Sequence, residues 1–240
     1  MGLSEDGPTY AIYHEVPFVG LGVFALTGSS KLLPHEIQLQ YNLLLKWSTD
    51  LDQSEQRVQM EHKEVDGDDF SDITLRLFKL SDIDDFMVWA TDDEASRFCS
   101  WETFSSKEST MEYIVNVIIP HSWFRAICLN GRPIGSISVT PNESSKYMCR
   151  AEIGYVIGSK YWGKGIVTRA VKMVANTIFV EWPHLERLEA LVNDDNPGSQ
   201  RVLEKAGFQR EGVLRRYVIM KGRTRDMVIF SLLSTDHRLD

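Results

Sequence analysis

Three cysteines in 240 residues, Cys99, Cys128 and Cys149, form no CxxC pair and are odd in number. That argues against both a zinc site and a disulfide framework, and reduced thiols in a cytoplasmic or nuclear compartment are expected. The six histidines are scattered, with no HExxH and no His/Cys cluster, so no metal is expected either. Long apolar runs are missing: the most apolar segment, Val16 to Leu26, is short and broken by Pro17 and two glycines. It lacks the basic flank of a secretory leader, because Glu5, Asp6 and Glu15 precede it without a Lys or Arg, and Asp6 departs from the myristoylation pattern. Neither secretion nor a membrane partner is expected. A basic excess is absent as well: 26 Lys and Arg stand against 34 Asp and Glu, a formal net charge of -8. A nucleic-acid partner, whose affinity would rest on neutralising phosphates, is therefore not expected. A cationic substrate suits that balance better, although acidity of this size also simply keeps a protein soluble.

What is present reads as one ordinary domain behind an extension. Residues 1 to 70 hold the apolar patch, a plausible helix from Ile37 to Trp47, and a polar run from Asp50 to Asp72 that resembles a solvated linker, so partial disorder or loose packing is expected there. From Ile73 to about Asp236 the pattern tightens. Ile73, Leu75 and Leu77 alternate with polar or outward residues as in a strand, and Ser81-Asp82 offers a cap for a helix through Trp89. A second helix is expected from Ser106 to about Ile119, closed by Pro120. Ser122 to Leu129 and Ile134 to Val139 read as a hairpin around Asn130-Gly131, with Pro133 suggesting a loop longer than two residues. A strand from Glu152 to Ile157, a helix from Ile166 to about Val180, a strand from Leu185 to Val192, a helix from Asn196 to Ala206 and a last strand pair, Phe208 to Tyr217 and Thr224 to Leu232, complete a β α α β β β α β α β β order. No period of 20 to 50 residues repeats.

The most informative stretch is AEIGYVIGSKYWGKGIVTRAV, residues 151 to 171. A strand runs into Gly163-Lys164-Gly165 and then a helix, an arrangement whose free N-H groups and positive dipole end bind phosphate. A Walker A loop fails, since Lys164 is followed by Gly165 and the upstream glycine is missing. A Rossmann loop would need glycine where Thr168 stands, and it wants alternating βαβ units, whereas three strands precede this loop.

Lys160-Tyr161-Trp162-Gly163-Lys164-Gly165 resembles the Q/R-x-x-G-x-G/A signature of the GNAT acetyltransferases, with Lys160 in place of the usual Gln or Arg. Glu152-Ile153-Gly154-Tyr155, Asn193, Asn196, Ser199, Leu203 to Phe208 and Glu211-Gly212 are similar to the RimJ/RimL-like branch, and within it to plant-type proteins labelled p20-like. The resemblance runs from about Ile73 to Asp236. It implies an α/β (α+β) GNAT fold, a twisted, mixed, mostly antiparallel sheet of about seven strands flanked by helices, with a splayed central strand pair. It further implies acetyl-CoA as co-substrate, its pantetheine lying along the freed edge of Tyr155, Val156 and Ile157. The pyrophosphate would meet the N-H groups of Gly163, Lys164, Gly165 and Ile166, beside Lys160 and Trp162, and Asn193 and Asn196 would flank the slot. Asn196 also reads as a plain helix cap.

In this resemblance Ser199 matches a serine that holds the departing sulfur, a role it shares with the simpler reading of a polar first-turn residue. Many GNATs place a tyrosine acid where this chain has Leu203. The amine acceptor must lose a proton, and strand alternation puts Glu152, Gly154 and Val156 on one face of the slot-forming strand, which makes Glu152 the candidate base. Its alternative is a strand-end charge paired with an arginine, and Glu189 is the second candidate. Asp84 or Glu102 is a candidate for orienting a cationic substrate. Arg201, Lys205, Arg215, Arg216, Arg223 and Arg225 form a basic cluster, read as a solvated face or a contact to the 3'-phosphate. Trp89, Trp101, Trp123 and Trp162 read as core or slot lining, and His121 as structural. The resulting expectation is a monomer or homodimer that transfers acetyl directly to a primary amine, foremost the α-amino group of a protein or peptide. A polyamine-type small amine and a non-catalytic acyl-CoA-binding module are the alternatives.

Overall fold

A computed structural model describes residues 73–236, apart from Ser100, Glu102 and Ser105. The expected helix at Ile37 to Trp47, the polar run before Ile73 and the candidate Glu102 lie outside the described residues.

The chain runs β1 (Ile73–Arg76), α1 (Ile83–Ala90), a short α2 (Asp93–Ser96) and α3 (Lys107–Tyr113), which widens into a π turn at Ile114–Ile118. It continues through β2 (Phe124–Leu129), β3 (Arg132–Pro141), β4 (Arg150–Ile157), α4 (Ile166–Glu181), β5 (Arg187–Asn193), α5 (Pro197–Lys205), β6 (Gln209–Met220) and β7 (Arg223–Leu233). The order matches the one read from the sequence, with α2 added. Asp92 makes that short helix by accepting from the N-H groups of Glu94 and Ala95. Ser106 caps α3 through the N-H of Ser109, as its position before Lys107-Glu108 suggests.

The seven strands form one sheet in the order β1-β2-β3-β4-β5-β7-β6. All pairs are antiparallel except β4 with β5. Because side chains alternate across a strand, both faces carry a core. Ile127 of β2 and Ile153 and Ile157 of β4 pack with Ile166, Ala170, Val174 and Ile178, which recur along one stripe of α4. Phe124, Ala126 and Cys128 of β2 face the other way, onto Phe86 and Trp89 of α1 and Tyr113 and Ile114 of the α3 segment. Phe86 and Trp89 are 0% and 2% exposed, and burial of side chains this size is worth roughly 1.5–3 kcal/mol each.

Two details depart from the sequence reading. The β2–β3 connection is a two-residue turn, Asn130 and Gly131 at φ 52° and 75°, rather than a longer loop. Left-handed geometry at both central positions suits the strand twist, and Pro133 is absorbed by an irregularity in register opposite Cys128. Further along β3, Gly135 lies against Ile157, where a Cβ would come within 2.3 Å of the Val156 carbonyl oxygen. The absence of a side chain at Gly135 therefore allows β3 to approach the end of β4.

Candidate active site

Pairing between β4 and β5 covers only Arg150, Ala151 and Glu152 against Arg187, Leu188 and Glu189. Beyond Glu152, residues 153 to 157 pair with β3 alone, and residues 190 to 193 pair with β7 alone. The two inner edges thus part into a V whose apex is the Glu152–Glu189 pair. An edge of free N-H and C=O groups is a template for one more extended chain.

The open end of the V is closed on both sides by elements that the sequence places there. After β4, the segment Gly158 to Gly165 leads into α4. Gly163 and Gly165 adopt φ 75° and 76°, and a Cβ built on either would meet no atom within 4 Å, so the space in front of them is clear. Gly165 is itself the cap of α4 and has no side chain to satisfy the first-turn N-H groups, which leaves an anion-attracting helix end. Trp162, read from the sequence as core or slot lining, is 45% exposed and so is not core. Its indole N-H donates to the Ile157 carbonyl at 3.1 Å and so caps the last acceptor of β4. Lys160 and Lys164 both lie over the Tyr161 ring, at 5.0 and 5.7 Å, which gathers positive charge beside the glycines. The N-H of Ser159 donates to Asp92, tying this loop to α2.

After β5, the turn into α5 forms the other wall. Asn193 is buried and its Oδ1 accepts from the N-H of Asp195, which leaves its NH2 group. Asn196 uses both ends of its amide on Ser199: Oδ1 accepts from the Ser199 N-H at 3.1 Å, and Nδ2 donates to Ser199 Oγ at 3.2 Å. The cap reading of Asn196 is thereby realised. It also has a chemical effect, since a hydroxyl that accepts from Asn196 is left with its own proton to donate elsewhere. Tyr155 spans the slot from β4, its hydroxyl donating to the Ser199 carbonyl at 3.2 Å. Burial pushes the Tyr155 hydroxyl well above its ordinary range, partly offset by that bond, so it stays a donor. Leu203 is fully buried, and the position that carries a tyrosine acid in many relatives supplies none here.

At the apex the two carboxylates differ. Glu189 is held by Arg150 at 3.1 Å and by Arg187 at 2.8 Å. Arg187 also makes a two-pronged bond to Glu211, at 2.7 and 2.6 Å, and Ser231 donates to the same carboxylate. Those bonds hold Glu211 down to about 2. Glu152 faces the α1–α3 side of the sheet, and among the described residues no hydrogen bond or ion pair engages its carboxyl. Burial first, and then the charge of Glu189, push the Glu152 carboxyl up to about 8, against a smaller downward pull from Arg150. A carboxyl that is uncommitted and poised near neutrality can take and return a proton. Glu189, by contrast, is engaged by two guanidinium groups.

Other candidates are drawn elsewhere. Asp84 is tied to Lys107 on the surface between α1 and α3. The basic cluster divides: Arg201 and Lys205 lie on α5, whereas Arg215, Arg216, Arg223 and Arg225 lie on the β6–β7 hairpin. His121 bonds Thr140 and accepts from the Trp123 N-H, a joint between the start of β2 and the end of β3. Burial raises Cys99 to about 12 and raises Cys128 as well, which removes thiolate character from both. One residue escaped the sequence reading. Burial first, and then the charges of Glu152 and Glu189, push the hydroxyl of Tyr217 on β6 upward. Only the pairing of distant strands brings it there, and no local pattern announces it.

Splayed strands, a glycine loop at the mouth and a poised carboxyl at the apex define an acyltransferase. The chain belongs to the GNAT family of N-acetyltransferases: the family model described as "Acetyltransferase (GNAT) domain" matches residues 72–209. An uncharacterized N-acetyltransferase p20 of Bacillus licheniformis is 30% identical over 69% of this chain and 94% of its own length. The ribosomal-protein-S5-alanine acetyltransferase of Vibrio fischeri superposes with a TM-score of 0.56 at 25% identity, over 72% of this chain and 98% of that one. Spermidine N-acetyltransferase from Vibrio cholerae, solved in complex with CoA and spermine, superposes with a TM-score of 0.59 at 20% identity, over 69% of this chain and 97% of that one. The match of sheet and helices to such structures agrees with the fold expected from the glycine signature.

Proposed function

We propose that the protein transfers the acetyl group of acetyl-CoA directly to the α-amino group of a protein or peptide. The observation that carries this reading is the end of β4–β5 pairing at Glu152, which sets a free strand edge, a phosphate-type loop and an uncommitted carboxyl in one slot. The residues present fit acetyl-CoA. The clear space before Gly163 and Gly165 and the uncapped start of α4 suit a pyrophosphate against the N-H groups of Gly163, Lys164, Gly165 and Ile166, with Lys160 and Lys164 nearby. The edge of Tyr155, Val156 and Ile157 suits the amides of pantetheine, as does the NH2 group of Asn193. Acetyl-CoA supplies the activated thioester, and the chain supplies proton handling and position.

Glu152 takes the proton that the ammonium must lose before its nitrogen can bond the acyl carbon. Ser199, its hydroxyl oriented by Asn196, donates to the sulfur as the carbon–sulfur bond breaks. The products are an amide, free CoA thiol and the returned proton. A carboxyl whose proton affinity is raised by burial takes the proton of an ammonium more readily than an ordinary carboxylate does.

The test is steady-state release of free thiol with acetyl-CoA and either N-terminal peptides or polyamines, with products identified by mass spectrometry. Turnover of peptides at their α-amine is expected. Glu152→Gln should lower turnover about 100-fold at pH 7, with the deficit narrowing above pH 9, where free amine is plentiful. Polyamine turnover without peptide turnover would refute the acceptor, and an unchanged pH profile in Glu152→Gln would remove that residue from the role of base.

A further inference from the structure

The net charge of -8 is unevenly spread. Residues 1–72 carry 13 of the 34 acidic side chains and only four of the 26 basic ones, so residues 73–240 hold 22 basic and 21 acidic groups. Within that balanced part, the β6–β7 hairpin is strongly cationic: Arg210, Arg215, Arg216, Lys221, Arg223 and Arg225 stand against Glu211 and Asp226. Both acids are already engaged, Glu211 by Arg187 and Ser231, and Asp226 by the backbone N-H of Arg216 at 2.7 Å. Arg225 is taken by Asp195. Among the described residues no carboxylate lies within ion-pair range of Arg215 or Arg216.

The backbone presents these two arginines at a particular place. Leu214 pairs with Met227 and Val218 pairs with Arg225, so β6 spends Arg215, Arg216 and Tyr217 against Asp226 alone. Arg216 takes a left-handed φ of 50° to make this bulge, and the Asp226 carboxylate pins its N-H. The bulge is held level with the end of β5, because Met227 pairs with Asn193 and the Asp226 carbonyl accepts from the Asp194 N-H. It opens a groove of about 610 Å³ lined by Val213, Leu214, Arg215, Arg216, Tyr217 and Asp226. Asn193 and Asp194 begin the wall of the slot that carries Asn196 and Ser199, so the groove borders that wall.

We infer that this groove is the acceptor subsite and that it selects peptides with Asp or Glu in the positions following the reactive amine. The inference rests on the acetyl-transfer reading above and names the chemistry of its acceptor. Two guanidinium groups without a carboxylate partner among the described residues, beside the exposed Val213, fit a short acidic, partly apolar N-terminus. They repel a basic one. The net charge of the whole chain suggests the opposite preference, so the local arrangement and the overall charge make different forecasts.

The full chain is assayed with three peptides of one length that share an N-terminal serine and carry acidic, neutral or basic residues at positions two to four. The acidic peptide is expected to exceed the basic one at least tenfold in kcat/KM, with the advantage shrinking between 50 and 300 mM salt on the order expected for exposed charges. Arg215→Glu with Arg216→Glu should reverse the preference at an unchanged Tm. A second measurement follows the same peptides, N-terminally acetylated and fluorescently labelled, by anisotropy. Acidic over neutral binding that the double variant abolishes supports the groove even where turnover is nil, and in that case the acetyl-transfer reading alone fails. Equal binding of the three blocked peptides, or a basic preference in turnover, overturns the inference.

Discussion

At the scale of single residues, the site turns on what each side chain is left free to do. Glu152 and Glu189 are register partners three positions into their strands, yet Glu189 is paired with Arg150 and Arg187 while Glu152 has no hydrogen-bond or ion-pair partner among the described residues. That difference is why Glu152, and not Glu189, is given the proposed role of proton acceptor. Ser199 differs from an ordinary first-turn serine because Asn196 donates to its oxygen, so its own hydrogen points away from the cap. Ser199→Ala is expected to lower kcat about tenfold or more while changing the KM for acetyl-CoA less than threefold, in line with loss of a transition-state donor. A rise in KM with kcat preserved would make Ser199 a binding residue. Sequence could nominate Ser199 through the resemblance and Glu152 through strand alternation, and it could not say which of the two apex carboxylates was engaged, because Arg150 reaches Glu189 from the neighbouring strand.

At the scale of elements, the slot exists because two neighbouring strands stop pairing after three residues. Holding β4 against β3 over its whole length keeps that splayed edge straight, and Gly135 is a position where a side chain would run into the β4 backbone. A methyl group there would drive into the Val156 carbonyl, so Gly135→Ala is expected to destabilise the protein by about 1–3 kcal/mol, read from the denaturant midpoint. Backbone on the far side cannot be moved cheaply without shifting Val156 and Ile157, so acetyl-CoA affinity should fall together with stability. The helices and strands themselves were largely legible: alternation at Ile73 to Leu77, the caps Ser106 and Asn196, and the stripe of α4 are local patterns. The π turn at Ile114–Ile118 and the bulge at Arg215 to Tyr217 were not, since each is a local departure imposed by what packs or pairs against it.

For the whole molecule, the cost of keeping Glu152 unpaired should be visible in stability against pH. Its folded pKa lies above the ordinary value of 4.5, so this group favours the native state least where it is ionised. Stability from this source is present below about pH 4.5 and is lost as pH rises through about 8. Glu152→Gln, which stays neutral, is therefore expected to match the parent protein near pH 5 and to exceed it above pH 8, by an amount on the order of 1–4 kcal/mol. Thermal unfolding of both proteins across that range measures it, and parallel curves would show that the carboxyl is not desolvated. The sequence by itself determined the order of elements, the glycine loop and the membership of the family, because caps, periodicity and close-approach glycines are properties of neighbours along the chain. Tertiary structure decided where pairing stops, which carboxylate stays free and where the uncommitted arginines stand. The first two depend on Arg150 to Glu152 of β4 meeting Arg187 to Glu189 of β5 across the sheet, the third on the register of β6 against β7, and net charge, a sum over the whole chain, carries no trace of that placement.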